Sequence, residues 1–377
     1  MECRNFTTRW FLSSLYDILQ RFYSSIPYKY FRNGYAFPAW HYYIELTRRC
    51  NLRCKMCQYI DWLENVPIKE QMEGELNTDE WKNVIDQIPS ISLITFTGGE
   101  PFVRKDFMEI FEYASKKART HFISNGTMIT EERAQALVEL APKRLGGKGF
   151  NFAGTSIEAP GELHDNIRKM KGAFDRTQKG IKYLIEFREK SGKKCPRVHI
   201  TTVIQKDNID VLPEMPKLVK ELGADVLNLV TESRALDLPE LGEVEPSIYK
   251  AENIKYPRLD KQKLTKSLTE TIKVSCELGI ELRLPRMPLS AIIDYYTTQI
   301  NLEEYECRNA WNTLFIGRTG DVYPCWIKKI GNIKKSTLKE LWNNEIMREF
   351  RKTCQQHLFA TCPGCCFIEH KHQKSAL

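Results

Sequence analysis

The run Cys50-Asn-Leu-Arg-Cys54-Lys-Met-Cys57 decides the reading of this chain. Spacings of three and then two residues let one tight loop present three thiolates to one face. That is enough for three corners of a cubane iron–sulfur cluster, and it leaves the fourth iron without a protein ligand. An open position on a redox-active metal is where a small molecule binds and receives an electron, whereas a four-cysteine site is closed. The competing readings are a structural zinc site and incidental buried thiols. Zinc lacks a nearby fourth ligand, because the first downstream candidate, His121, lies far along the chain.

The flanking sequence narrows the choice. An apolar strand, His41-Tyr-Tyr-Ile-Glu-Leu-Thr47, precedes the triplet, and a second, Ser92-Leu-Ile-Thr-Phe-Thr97, runs into Gly98-Gly99-Glu100-Pro101. Glycines at a strand end let backbone approach a ligand closely, and Glu100 offers a carboxylate to an ammonium. Together these segments resemble the signature of the radical S-adenosylmethionine (SAM) superfamily. The resemblance implies a 4Fe–4S cluster on Cys50, Cys54 and Cys57 whose free iron is chelated by the amino and carboxylate groups of SAM. An electron from the cluster then cleaves SAM to a 5′-deoxyadenosyl radical.

Composition is that of a sizeable globular enzyme. The chain has 377 residues and a net charge of +8, with acids interspersed among the basic residues. No arginine-rich run or nucleic-acid motif emerges, so a solvated basic surface is expected, with an anionic substrate or acidic membrane surface as further uses. No run of eighteen apolar residues predicts a membrane-spanning helix. Asp17, Gln20 and Arg21 interrupt what would otherwise resemble a signal peptide core. Nine of the twelve cysteines fall in two clusters, Cys3, Cys195 and Cys276 being isolated. That pattern points to metal binding in a reducing cytoplasm.

Strand and helix signals alternate, with strands expected at 40–47, 92–97, 120–125, 150–157, 197–204 and 225–230. Asn77-Thr-Asp-Glu80 reads as a capping box, Thr130 opens a helix, and a further helix is expected from Asp210 to Gly223. The fold class is therefore α/β, a partial (β/α)6 TIM-type barrel with chemistry at the C-terminal strand ends. Residues 1–38 form an N-terminal amphipathic extension, 39–235 the barrel, 236–300 a bridging segment and 301–377 a small cysteine-rich α+β domain. The bridge holds a polar stretch from Glu232 to Pro246, a helix near 259–278 and a short strand at 280–284.

Two more strand ends fit the family pattern. Ser124-Asn125-Gly126 closes the third strand; Ser156-Ile157-Glu158 closes the fourth and is followed by Arg168. The latter resembles the family's Ser-x-Asp segment and its arginine, which hold the SAM ribose and carboxylate, although Glu158 replaces the usual Asp. The residues alone also allow plain strand-end hydroxyls at Ser124 and Ser156 and a surface ion pair at Arg168. Val203 or Ile204 in the fifth strand would face the adenine. The implied cofactor set is thus Gly98, Gly99, Glu100, Pro101, Ser124, Asn125, Ser156, Glu158, Arg168 and Val203.

The C-terminal set comprises Cys307, Cys325, Cys354, Cys362, Cys365 and Cys366. Strands at 311–316 and 321–324 around Thr319-Gly320 predict a hairpin bringing Cys307 and Cys325 together. The spacing from Cys307 through Gly320 to Cys325, followed by Gly331-Asn-Ile333 and Leu338-Lys-Glu-Leu-Trp342, resembles the SPASM and twitch auxiliary-cluster domains. The chain has one cysteine fewer than the two-cluster pattern needs. One auxiliary 4Fe–4S cluster on Cys307, Cys325, Cys362 and Cys365 is the economical reading, with Cys354 and Cys366 as second choices and a zinc ribbon as the alternative. Sulfatase-maturating relatives place an acid after the cysteine that here is Cys325, where this chain has Trp326.

The expected activity is radical hydrogen abstraction from a small molecule, a sugar- or lipid-linked molecule or a peptide, with electrons from flavodoxin or ferredoxin. The alternative is a non-enzymatic iron–sulfur carrier or zinc-stabilised binding protein. Phe11, Leu15, Ile18, Leu19 and Phe22 form an apolar helical stripe beside Arg9, Trp10 and Arg21. Packing on its own domain is the ordinary expectation, and peripheral membrane contact the alternative. The basic loop Lys143–Lys148 lacks the ending of a phosphate-binding loop and reads as a solvated connection.

Overall fold

The computed structural model describes residues 11–232, 258–298, 300–325, 327–359 and 362–371, with side chains described from residue 19 onward. Cys3, Arg9, Trp10, the side chains of Phe11, Leu15 and Ile18, the stretch 233–246 and Trp326 lie outside the described residues.

The alternating apolar runs become strands of one curved sheet: β1 (His41–Thr47), β2 (Leu93–Gly98), β3 (Arg119–Ser124), β4 (Gly149–Ser156), β5 (Arg197–Ile204) and β6 (Val226–Thr231). These six lie side by side and parallel, as a right-handed βα repeat requires. Two additions follow. The short strand β7 (Glu281–Arg283), read from sequence as part of a bridge, joins β6 in parallel. After β8 (Tyr305–Cys307), strand β9 (Thr313–Ile316) pairs in parallel with β1, and β10 (Asp321–Tyr323) and β11 (Gly331–Asn332) follow antiparallel. The cysteine-rich hairpin is therefore continuous with the barrel sheet, which has ten strands. Strand β12 (Ile368–His370) pairs only with β8.

The two faces of the sheet differ. Phe96, Phe107, Phe111, Phe122 and Phe150 interlock edge-to-face or stacked, fully buried with Trp81 of the helix Thr78–Asp86. On the concave face, half-buried residues recur at alternate positions, among them Tyr43, His121, Phe152, Ser156, Thr201, Val203, Asn228 and Val230. This period of two leaves a polar lumen above which the strand ends converge.

Local signals act as expected at most helix ends. Asn77 accepts from the Glu80 amide at 2.9 Å, while Glu80 accepts from the Asn77 amide at 2.8 Å. Thr130 caps the helix Glu131–Glu139. The helix expected from Asp210 begins instead at Met215 and runs to Leu222, because Pro213 and Pro216 remove amide donors and a 3-10 turn, Leu212–Glu214, fills the gap. Gly223 ends it in the left-handed conformation at φ 72°. Cys276 is disulfide-bonded rather than isolated.

The first helix, Phe11–Tyr30, packs through its C-terminal half, where Pro27 is buried and Tyr23 and Tyr28 make ring contacts. Tyr23 lies 5.2 Å from both Phe37 and Trp40 and donates to the Pro38 carbonyl, and Tyr28 meets Trp311 edge-on at 4.9 Å. Leu19 and Phe22 point outward, 49% and 66% exposed.

Candidate active site

The cysteine triplet sits in the loop leaving β1 and is held by its own backbone. The Leu52 amide donates to Cys50 Sγ and the Tyr59 amide to Cys57 Sγ, each at 3.4 Å. Side chains add to this: Asn125 Nδ2 lies 3.9 Å from Cys50 Sγ, and Arg168 Nη1 donates to Cys54 Sγ at 3.5 Å. Donors aimed at sulfur suit thiolate ligands. Burial pushes Cys50 up to about 12 and raises Cys57, so metal binding, rather than solvent, would draw off their protons.

Gly98 and Gly99 perform a task that the sequence did not reveal. A side chain at Gly98 would meet the Thr47 carbonyl at 2.0 Å, and one at Gly99 the carbonyls of Arg48 and Arg49 at 2.3 Å. Gly98 also has φ +133°, and the Gly99 and Glu100 amides donate to Thr47 and Arg49 at 2.8 and 2.9 Å. The glycines thus clamp the end of β2 onto the segment that delivers Cys50. Glu100 faces β3: its carboxylate accepts from Ser124 Oγ, the Asn125 amide and the Phe102 amide at 2.9, 2.7 and 3.1 Å. Burial nevertheless holds its pKa up at about 7. Pro101 is buried at the start of the turn.

Glu158 and Arg168 form a buried ion pair rather than a surface one. Glu158 also accepts from the Val203 amide at 2.8 Å, and Arg168 spans the gap to Cys54. Burial raises the Glu158 pKa against the opposing pull of Arg168. Among the described residues, Arg168 Nε is buried with no hydrogen-bond partner. His164 Nδ1 accepts from the Glu158 amide at 3.1 Å, which puts its proton on Nε2. Ser156 and Val203 are half-buried on the concave face, while Ile204 is fully buried core. The structure thus brings Glu100, Ser124, Asn125, Glu158 and Arg168 together around the triplet.

The second cysteine set surrounds the base of the β9–β10 hairpin. Cys307 feels the charges of Cys365, Cys362 and Cys325, and burial pushes its thiol up. Cys354, in the helix Glu345–Gln356, is buried and faces Cys307 and Cys325. It therefore stands beside the four favoured ligands, whereas Cys366 is exposed. The loop carrying Cys362 and Cys365 touches two flanks of the barrel. The Gly364 carbonyl accepts from Thr231 Oγ1 of β6 at 2.9 Å, and Phe367 packs against Tyr43 and Phe315.

Comparison with known proteins gives this arrangement its family. The model of the radical SAM superfamily matches residues 44–219, and that of an iron–sulfur cluster-binding domain, SPASM, matches 307–366. An AdoMet-dependent heme synthase of Methanosarcina barkeri is 32% identical over 322 residues, covering 81% of this chain and 83% of the relative. The chain belongs to the radical SAM superfamily. A PqqA peptide cyclase of Rhodopseudomonas palustris is 24% identical, covering 86% of this chain and 79% of the relative. The crystal structure of Streptococcus suis SuiB bound to S-adenosylmethionine shares the fold, with a TM-score of 0.60, 18% identity and coverage of 89% of this chain and 73% of that one.

This radical SAM enzyme carries 4Fe–4S chemistry, SAM and a C-terminal SPASM auxiliary domain, which sets aside the carrier and scaffold readings. Its residues fit those groups. Three thiols, two with amide donors and Cys54 with the Arg168 guanidinium, match the three-ligand cluster, and Arg168 Nε, buried and unpartnered among the described residues, matches a carboxylate. Among the described residues, no group of three or more His, Cys, Asp or Glu is placed to hold a single metal ion.

Sequence reasoning missed Glu45 and Tyr59. The Tyr59 hydroxyl donates to Glu45 Oε1 at 2.7 Å while its amide holds Cys57, so Tyr59 ties the cluster loop to β1. Glu45 Oε2 is buried without a partner. A lone acid in the apolar strand His41–Thr47 was the available signal.

Proposed function

We propose that this radical SAM enzyme oxidises or rearranges a small organic substrate that extends along the barrel lumen from the N-terminal ends of the strands towards the Cys50–Cys57 loop. The observation that carries this reading is a cavity of about 340 Å³ on the concave face, lined both by barrel residues and by Arg308 and Phe367, the immediate neighbours of Cys307 and Cys366. A 4Fe–4S cluster on Cys50, Cys54 and Cys57, with SAM bound, supplies a 5′-deoxyadenosyl radical that abstracts hydrogen from carbon.

The chain's own residues do the rest. Arg168 Nε is assigned to the SAM carboxylate, and Glu158 holds that guanidinium in place from below. Glu100 orients Ser124 and Asn125, which keep the end of β3 against Cys50. Ser156 and Val203 present the half-buried surface assigned to the nucleoside. Aromatic packing of Tyr43 between Phe315 and Phe367 excludes water between lumen and auxiliary set.

Cys307, Cys325, Cys362 and Cys365 are assigned to one auxiliary 4Fe–4S cluster, placed to accept an electron from a substrate radical. Electrons enter from flavodoxin or ferredoxin, in a reducing compartment such as the cytoplasm. No helix among the described residues is long and apolar enough to cross a membrane, and the outward Leu19 and Phe22 favour peripheral membrane contact. A peptide substrate, suggested by the peptide cyclase relative, is the second reading; a lumen cavity of about 340 Å³ favours a small molecule.

Anaerobically reconstituted protein reduced with flavodoxin should convert SAM to 5′-deoxyadenosine, and Cys54→Ala should abolish this by at least about a hundredfold. Undiminished cleavage in that variant would overturn the assignment.

A further inference from the structure

The lumen cavity has a chemical character that the cluster chemistry does not explain. Arg21, Arg119, Arg283, Arg286 and Arg308 line it, against one carboxylate, Glu369. They come from the first helix, β3, β7 and the segments after β7 and β8, so folding gathers them from distant parts of the chain. Each has a partner. Arg286 donates to Glu369 at 2.6 Å, and Arg21 pairs with the same carboxylate at 3.6 Å; Arg283 donates to Glu281 at 3.0 Å, Arg308 to Glu306 and to Ser25 Oγ, and Arg119 Nη2 to the Ile91 carbonyl at 3.0 Å. Counting Glu281 and Glu306 with Glu369 still leaves guanidinium in excess.

Unsatisfied donors line the same cavity. Among the described residues, Arg308 Nε is buried with no hydrogen-bond partner, and so is His199 Nε2, on a side chain 8% exposed. His41 and His121, bridged through Thr95 Oγ1 at 2.7 and 3.0 Å, line the same floor. All three imidazoles are held neutral, first by burial and then by neighbouring positive charge, chiefly Arg283 at His121 and His199 and His121 with Arg119 at His41. Neutral imidazoles and unpartnered N–H groups around several guanidiniums form a receptor for anionic oxygen.

Resting on the enzyme reading above, we propose that the substrate is a small molecule bearing two or more carboxylate or phosphate groups, anchored on this arginine and histidine floor. His121 and His199 lie three and four residues before Ser124 and Val203, respectively. At ~3.3 Å per residue the floor is about 10–13 Å below the strand ends. The reacting carbon is therefore separated from the anionic groups by about that distance, and the anchors set the register with which it meets the radical.

Citrate and pyrophosphate serve as probes, titrated calorimetrically into the reconstituted holoenzyme at low salt. At least one should bind, and Arg283→Gln and Arg286→Gln should each weaken it about tenfold, with circular dichroism reporting that the variants are folded. Citrate alone binding supports carboxylates, and pyrophosphate alone supports phosphates. Failure of both to bind, or affinities unmoved in both folded variants, would overturn the proposal. SAM cleavage by the same wild-type holoenzyme judges the enzyme reading separately, since it requires no anion.

Discussion

Single residues at the strand ends set the geometry of the cluster loop. Gly99 is the sharpest case, because two carbonyls occupy the space where its side chain would grow. Gly99→Ala should lower stability by about 1–3 kcal/mol and reduce iron retained by the triplet, read by urea unfolding and iron analysis. Wild-type unfolding and iron content would show that the clamp is dispensable. The glycines were legible in the sequence as a motif, yet their immediate contacts are with the Thr47, Arg48 and Arg49 carbonyls, across a sequence gap that no local pattern bridges. Glu158 behaves similarly. Its identity stood out, but its pairing with Arg168 over Cys54 depends on how the helix Glu162–Arg168 turns back onto β4.

Elements were read well wherever local physics decides them. The capping box at Asn77, the cap at Thr130 and the six alternating strands follow from side-chain chemistry within a few residues. In the first helix, aromatic contacts from Tyr23 and Tyr28 accompany an outward placement of Leu19 and Phe22, the two residues of its apolar stripe whose side chains are described. If that face meets lipid, Phe22→Asp should cut co-sedimentation with anionic liposomes several-fold without changing the thermal unfolding midpoint. Equal sedimentation of both proteins would remove the membrane from consideration. The guanidinium floor was invisible for a different reason. Its residues come from separate elements and share a surface only once the sheet curls.

For the whole molecule, the two cysteine sets make separable contributions. Reconstituted protein should hold about eight irons, and Cys325→Ser about four, with reductive SAM cleavage retained because the triplet is untouched. Loss of cleavage together with the auxiliary irons would mean that the second set is needed to build the first. Charge distribution acts at this scale too. A chain with a net charge of only +8 concentrates five arginines around one cavity, a feature hidden by the average composition.

The pairing of β9 with β1 also bears on how the chain avoids self-association. Without it, β1 would be a seven-residue apolar edge with a row of unsatisfied amides and carbonyls, open to any other strand. The opposite edge needs no such cover, because β7 is three residues long and presents Glu281 and Arg283. The C-terminal region is thus an edge guard as well as a metal carrier. A barrel cut away from it would be prone to aggregate before its catalysis was ever measured.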